Sequence, residues 1–424
     1  MLGAAYEAAA RLATAVAGVA PAGHSKLLRT LRARRGIIDR YRAWGERYRD
    51  RSRPLLWMHA PSVGEGLQAR PILERMRETR RDVQLAYTFF SPSAEHFASR
   101  LSVDFRDYLP FDATAAARSA LRAIEPTALV FSKLDVWPTL TREAAARGVR
   151  LGLISATLAE TSSRRSGIAS VLLREAYGRL ETVGAIDASD AERLVELGVR
   201  REVIEVTGDT RYDQVWARAS AADRSGPLLS PLAARRPTLV AGSTWPADER
   251  VLLEAWGRLR GEVREARLII APHEPVHAHV TSLERWAESA GLSHARLDSA
   301  GAGVADVVIV DRVGVLGDLY ALADVAFVGG GFHAAGLHSV IEPAAFGAPV
   351  LFGPRWRMSR DAALLLRADG AVAAEDTEHL AATLRDWLTS VEARRAAGAR
   401  AKDVVAKGVG AAERTVELVS RLLV

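Results

Sequence analysis

The feature that most constrains this chain is an alternation that runs through it twice. Short apolar runs of about five residues recur between helical stretches of about ten to fifteen, the spacing of parallel strands joined by crossover helices. In the first series the runs are Leu55–Met58, Val83–Phe90, Thr127–Ser132, Val149–Ser155, Thr182–Ile186 and Val203–Gly208. A helical pattern begins near Gly66, and others cover Ala94–Leu101, an Ala-rich stretch up to Ile124, and Pro138–Arg147. Ala217–Pro237 then breaks the pattern with Ser225-Gly226-Pro227, Pro231 and Pro237, which marks a boundary. The second series is Thr238–Thr244, Arg267–Pro272, Asp306–Asp311, Asp324–Gly331 and Ala348–Gly353, with helical pattern from Asp376 onward. A chain of 424 residues exceeds what one core usually supports, roughly 250–300 residues. The expectation is an α/β protein of two Rossmann-like domains, 54–216 and 238–424, joined by a 217–237 linker. They would face each other across a cleft, with the final helices free to cross back to the first domain.

The charge is unevenly placed. The whole chain carries 57 Lys/Arg against 51 Asp/Glu, a net of +6. Lys26–Arg53 alone holds eleven basic and three acidic residues, an excess of eight, so the basicity belongs to residues 1–53. This segment follows an Ala-rich run, Leu2–Ala20, that is short and carries Glu7 and Arg11. It reads neither as a bilayer-spanning helix nor as a signal peptide, because its charges lie inside the apolar stretch. An apolar helix followed by a basic segment suits peripheral attachment to an anionic membrane surface. Tyr41, Trp44 and Tyr48, interleaved with the arginines, point the same way. The alternative is a basic helix packed on its own domain. No nucleic-acid reader module accompanies the charge, so nucleic acid is not an expected partner. Zero cysteines exclude disulfides, thiolate metal sites and a cysteine nucleophile.

Glu65 stands at a strand-to-helix junction, the place where open α/β sheets put ligands. The helix N-terminal dipole keeps a carboxylate there ionised, which suits a general base; plain dipole complementation would explain it too. His273-Glu274-Pro275-Val276-His277 matches H-E-x-x-H literally, but Pro275 interrupts the helix that would place both imidazoles on one face, so no metal site is expected. Gly329-Gly330-Gly331 follows a strand and lets backbone approach a phosphate, or simply makes a tight turn. In His338–Gly353 a polar loop opens a short helix bearing Glu342, a carboxylate placed either to accept ribose hydroxyls or as ordinary first-turn acid. Ser339 and the helix start could hold a phosphate, and Ser243 and Thr244 offer either phosphate contacts or an N-cap.

Together these motifs resemble the 3-deoxy-D-manno-octulosonic acid (Kdo) transferases, inverting glycosyltransferases of the GT-B fold. The resemblance covers nearly the whole length. Ser62–Leu73, SVGEGLQARPIL, is similar to the family's SVGE element, which implies that Glu65 is the catalytic base. YLPFD (Tyr108–Asp112) and DVWP (Asp135–Pro138) also match. GDTRYD (Gly208–Asp213) resembles GNLKFD and carries a transition-state-stabilising cation onto Arg211. Ser243 and Thr244, Pro272 and His273, Val313, Gly314 and Val315, Gly330 and Gly331, and Ser339, Ile341 and Glu342 correspond to the CMP-binding half.

The departures are specific. The family's M-E-T-E-L-W-P reads Ser132-Lys133-Leu134-Asp135-Val136-Trp137-Pro138, so Lys133 replaces a stabilising glutamate and Asp135 keeps the second carboxylate. An arginine is replaced by His273, M-G-E reads Val313-Gly314-Val315, and N-P-L-E reads Ser339-Val340-Ile341-Glu342. The resemblance implies transfer of Kdo from CMP-Kdo to a lipid A precursor in lipopolysaccharide biosynthesis, at the cytoplasmic face of a bacterial inner membrane. No cofactor is implied, the sugar nucleotide being a substrate, and no oligomeric state follows. A sugar-nucleotide epimerase of the same architecture and a non-catalytic glycolipid- or nucleotide-binding homologue are the rival expectations.

Overall fold

The computed structural model describes residues 2–19, 21, 23, 25–159, 167–233 and 236–424. Parts of two expected segments, Ala20 in the apolar run and Ala234-Arg235 in the linker, therefore lie outside the described residues. The chain divides into two compact units, 1–213 with 410–424, and 214–409. It leaves the first unit within the helix Arg211–Ala221 and returns to it ahead of the helix Ala411–Ser420.

The first unit is built on a seven-stranded parallel sheet. Its strands are β1 (Leu55–His59), β2 (Gln84–Phe89), β3 (Phe105–Tyr108), β4 (Ala128–Ser132), β5 (Arg150–Ala156), β6 (Thr182–Ala185) and β7 (Ile204–Val206). Their order is β3-β2-β1-β4-β5-β6-β7. Every residue of β1, β2 and β4 is buried, as expected for strands covered by helices on both faces. β1 lies between β2 and β4, with His59 beside Thr88 on one side and Phe131 on the other. The chain reverses its direction of progress across the sheet between β1 and β4, and loops leaving the C-terminal ends of such neighbours diverge and leave a crevice.

The second unit repeats the plan. Its strands are β8 (Thr238–Thr244), β9 (Arg267–Pro272), β10 (His294–Arg296), β11 (Val307–Ile309), β12 (Val325–Val328), β13 (Val350–Phe352) and β14 (Ala371–Ala373), all parallel. The order β10-β11-β9-β8-β12-β13-β14 puts its reversal between β8 and β12. Both domains are therefore Rossmann-like α/β layers. The edge strands β10 and β14 have three residues each, too few to show a hydrophobic pattern, and the sequence did not reveal them. Ala217–Ala221, read as linker, form the last turn of Arg211–Ala221, and Leu229 and Leu232 are buried.

Two local expectations are corrected. The helix after β1 begins at Val63, so Glu65 lies in its first turn and not on a loop before it. Tyr41 and Trp44 do not face outward with the arginines. The helix Ile37–Tyr48 turns both against the sheet, where Tyr41 hydroxyl donates to the Tyr108 carbonyl at 2.7 Å and Trp44 Nε1 to that of Asp104 at 2.9 Å. Edge-on contacts with Phe105 and Trp57 complete the packing of Tyr41, so one face of this helix is core. Arg34 is buried too, its guanidinium over the Phe90 ring at 4.0 Å with Nε donating to the Leu109 carbonyl.

Candidate active site

In the first unit the site is assembled at the β1/β4 crevice. Ser62 precedes the helix Val63–Thr79, and Glu65 in its first turn has one oxygen bonded by the Ser62 hydroxyl. Lys133, the first residue after β4, donates from Nζ to the other oxygen, Oε1, at 3.1 Å. Lys133 holds a left-handed backbone, φ +61°, while its N–H donates to the Ile154 carbonyl at 2.8 Å. Left-handed conformation in a residue with a side chain costs about 1–2 kcal/mol, and such strain gathers at sites where the surroundings dictate it. Burial pushes the Glu65 carboxyl up, but the Ser62 hydroxyl and the Lys133 ammonium outweigh it and hold the group below the usual carboxylate value. Glu65 is thus ionised at neutral pH.

Asp135 stands in the same loop. Its Oδ2 accepts from Trp137 Nε1 at 2.9 Å and lies 3.3 Å from His59 Nε2. Thr88 Oγ1 accepts from Trp57 Nε1 at 2.9 Å and lies 3.0 Å from His59 Nδ1, while Trp137 Nε1 lies 3.2 Å from His59 Nε2, so Trp57, Thr88, His59, Trp137 and Asp135 form one continuous polar chain. Pro61, Glu65, Lys133, Leu134, Asp135, Thr157 and Ala159 line an open pocket of about 590 Å³. Glu65 on its helix and Asp135 on the loop after β4 therefore line one pocket, and Lys133 of that loop bridges to Glu65. Lys133 was legible as a departure from a motif, but not as the partner of Glu65.

Arg211 is placed through the same helix. Its guanidinium binds Asp209 Oδ2 by Nε at 2.8 Å and Nη2 at 2.6 Å. The nearly buried Asp209 also receives Gln68 Nε2 at 3.4 Å, and Thr210 Oγ1 donates to the Gln68 carbonyl at 2.7 Å. Gln68 is one turn beyond Glu65, so Arg211 and Glu65 are registered on one element.

In the second unit half of the expected residues, Ser243, Thr244, Pro272, His273, Gly330 and Gly331, stand at the C-terminal ends of β8, β9 and β12. Thr244 pairs in register with Pro272, and the His273 N–H donates to the Thr244 carbonyl at 2.9 Å. Ser243 holds φ +54°. The Thr244 hydroxyl is fully buried and donates to Glu249 Oε1 at 2.7 Å, and Glu249 also binds His279 Nε2 at 2.8 Å. A Cβ on Gly330 would come within 2.0 Å of the Gly336 carbonyl oxygen, so close backbone packing already accounts for that glycine. Ser339 and Glu342 flank the buried Val340 and Ile341 at the start of the short helix Ile341–Ala345, and the Ile341 side chain is core, leaving only its backbone to meet a ligand. Val313-Gly314-Val315 follows β11, two strands away from β8, with Val313 exposed. His273 belongs to a loop and His277 opens the helix His277–Ser289, so the H-E-x-x-H match is divided between two elements. Three residues not expected from the sequence stand among these, Trp245, His333 and His338: the indole stacks with both of these imidazoles and with His273, and His338 also stacks on His273.

A curated protein of Bordetella pertussis, 3-deoxy-D-manno-octulosonic acid transferase, is 31% identical to this chain over 379 residues, covering 85% of this chain and 86% of its own. The chain belongs to the Kdo transferase family. A model of that family, described as 3-Deoxy-D-manno-octulosonic-acid transferase (kdotransferase), matches residues 31–214. The transferase of the same description from Chlamydophila psittaci is 30% identical, over 81% of this chain and 79% of its own. Among solved structures, UDP-GlcNAc 2-epimerase from Neisseria meningitidis bound to UDP-GlcNAc superposes with a TM-score of 0.64 at 12% identity, over 87% of this chain and all of that one. At that identity the likeness is one of fold, the two-domain α/β architecture of GT-B proteins.

Proposed function

We propose that this Kdo transferase moves Kdo from CMP-Kdo onto a hydroxyl of a lipid A precursor, inverting the anomeric configuration. The observation that carries the mechanism is Glu65, an ionised carboxylate in the first turn of a helix, half-buried in a pocket at the β1/β4 reversal. Glu65 takes the proton of the acceptor hydroxyl as its oxygen bonds to the anomeric carbon. The bond from that carbon to the phosphate oxygen breaks, and its electron pair leaves with CMP. Arg211 offsets the charge that gathers on the departing phosphate, which is a monophosphate and needs no metal to leave. Asp135, held by Trp137 and His59, orients the acceptor. The loops at β8, β9 and β12, with Glu342 for the ribose hydroxyls, hold the nucleotide.

The N-terminal helices would bring this site to the lipid, at the cytoplasmic face of the bacterial inner membrane. In the helix Leu2–Val19, Tyr6 donates to Asp112 at 2.9 Å and Glu7 accepts from the Thr114 N–H and hydroxyl, while Leu12, Val16 and Val19 form an exposed apolar stripe. Lys26, Arg29, Arg32 and Arg35 are exposed close by in sequence. This is the pairing of apolar face and basic cluster that anionic leaflets attract. Among the described residues no helix is long and apolar enough to cross a membrane.

Incubating the purified protein with CMP-Kdo and a lipid A precursor, read by mass spectrometry, tests the proposal. Added Kdo mass supports it. Stabilisation by UDP-sugars without transfer would favour the epimerase expectation, and CMP binding without transfer the binding homologue.

A further inference from the structure

The nucleotide half carries an aromatic cluster of which only His273 is among the assigned nucleotide contacts. Trp245 lies at the N-cap position of the helix Pro246–Leu259, immediately after β8. The His333 ring stacks on its indole at 4.4 Å and 10°, and the His273 ring at 4.6 Å and 28°. His338 stacks on His273 at 4.5 Å and accepts at Nε2 from Trp245 Nε1 at 3.1 Å. The elements are pinned from below by Asp248, which is fully buried and accepts from the N–H groups of Trp245, Gly330 and Phe332 at 3.0, 2.7 and 2.9 Å. Three imidazoles and an indole N–H thus converge where loops after β8, β9 and β12 meet.

We propose that this cluster is a proton-linked anion site, in which His338 gains a proton as the phosphate of a bound nucleotide arrives. The proposal rests on the nucleotide-binding reading given above. Its logic is one of donors. With the Trp245 N–H donating to it, His338 Nε2 is an acceptor, so the ring is neutral, and it consumes that N–H. His333 Nδ1 accepts from the Ala335 N–H at 3.1 Å, which leaves its Nε2 as a donor. An anion at the cluster needs donors, and protonating His338 Nε2 converts one mutual hydrogen bond into two N–H groups that both turn to the anion. Without an anion the same protonation sets two donors against each other.

The charges around His338 agree. Burial and the neighbouring His273 and His333 push its value down, while Asp248 alone pulls it up, with both oxygens already engaged by backbone N–H groups. A phosphate supplies the negative charge that the cluster lacks. Stacked imidazoles are poor cation sites until such a charge is present, so protonation and anion binding are each favoured by the other.

The test is isothermal titration calorimetry of the full chain with CMP at pH 7, in buffers of different ionisation enthalpy, with cytidine as the control lacking phosphate. The expected result is net proton uptake with CMP, none with cytidine, and CMP affinity that tightens by up to about tenfold per pH unit from pH 8 to 6.5. His338→Gln should abolish the uptake and flatten the pH dependence. Trp245→Phe keeps the stack and removes the indole donor, so in the ligand-free protein the His338 ring, followed by NMR, should titrate at higher pH than in wild type. CMP binding without proton uptake, or uptake unchanged in His338→Gln, overturns the proposal while leaving the nucleotide reading intact. No CMP binding at any pH overturns that reading as well.

Discussion

Lys133 Nζ lies 3.1 Å from Oε1 of Glu65, joining the loop after β4 to the helix after β1 at the point where the sheet reverses. The two residues are 68 positions apart, and the ion pair exists only because β1 and β4 are neighbours. It has a chemical consequence: the proposed base is held ionised, and held weak, by a cation.

Replacing Lys133 with methionine should raise the Glu65 carboxyl, because the ammonium that opposes burial alongside the Ser62 hydroxyl and the Glu65 backbone N–H is gone. The acid limb of the pH profile of kcat/KM should then move to higher pH. For stability the sign follows from the lowered native value. The contribution of Glu65 is present above the unfolded carboxylate value and is lost as pH falls through the native one, so Lys133→Met should be less stable than wild type near neutrality and approach it in acid. An unmoved acid limb would show that Lys133 does not set the charge state of Glu65.

The two glycines flanking Glu65 should differ sharply. A Cβ on Gly66 would lie 2.5 Å from a Phe97 ring carbon and 2.8 Å from the Tyr87 hydroxyl, whereas at Gly64 only the Ser62 hydroxyl lies within 4 Å, at 3.8 Å. Urea denaturation should find Gly66→Ala destabilised by about 1–3 kcal/mol and Gly64→Ala unaffected or stabilised by its helical position.

Asp112 is the buried end of the Tyr6 hydrogen bond and also accepts the N–H groups of Thr139 and Leu140 at 2.8 and 2.7 Å. Burial outweighs these bonds and brings its carboxyl up to about 6. The native state therefore favours the proton more than the unfolded chain does, and this part of the stability is fully present below the ordinary carboxylate value and lost as pH rises through about 6. Asp112→Asn should remove that trend, which thermal unfolding of both proteins between pH 4 and 7 would reveal.

Much of the architecture was legible because both sheets are parallel and covered, so most central strands announced themselves as continuous apolar runs with helices between. What escaped had physical causes. Tyr41 and Trp44 look like interface aromatics in a basic segment, but amphipathic periodicity places them on the core face of Ile37–Tyr48. The three-residue strands β10 and β14 are too short to carry a pattern. At the site, Glu65 was visible from its junction, while its partner Lys133 and the stack of Trp245 with His273, His333 and His338 join residues that only strand order brings together.

The membrane proposal makes its own prediction. Replacing Leu12, Val16 and Val19 with serine, or Lys26, Arg29, Arg32 and Arg35 with glutamine, should each weaken co-flotation with vesicles containing anionic lipid, the second set more so at low salt. Trp44→Ala should lower the unfolding midpoint, since its side chain is core. Equal flotation of wild type and both sets would place the attachment elsewhere.

The most direct measurement is transfer by Glu65→Gln, in a mass-spectrometric assay with CMP-Kdo and lipid A precursor, alongside CMP binding by thermal shift. Glutamine keeps the shape and accepts no proton, so the rate should fall by about 10²–10⁴-fold with CMP stabilisation unchanged. A rate equal to wild type would contradict the assignment of Glu65 as the base on which this account stands.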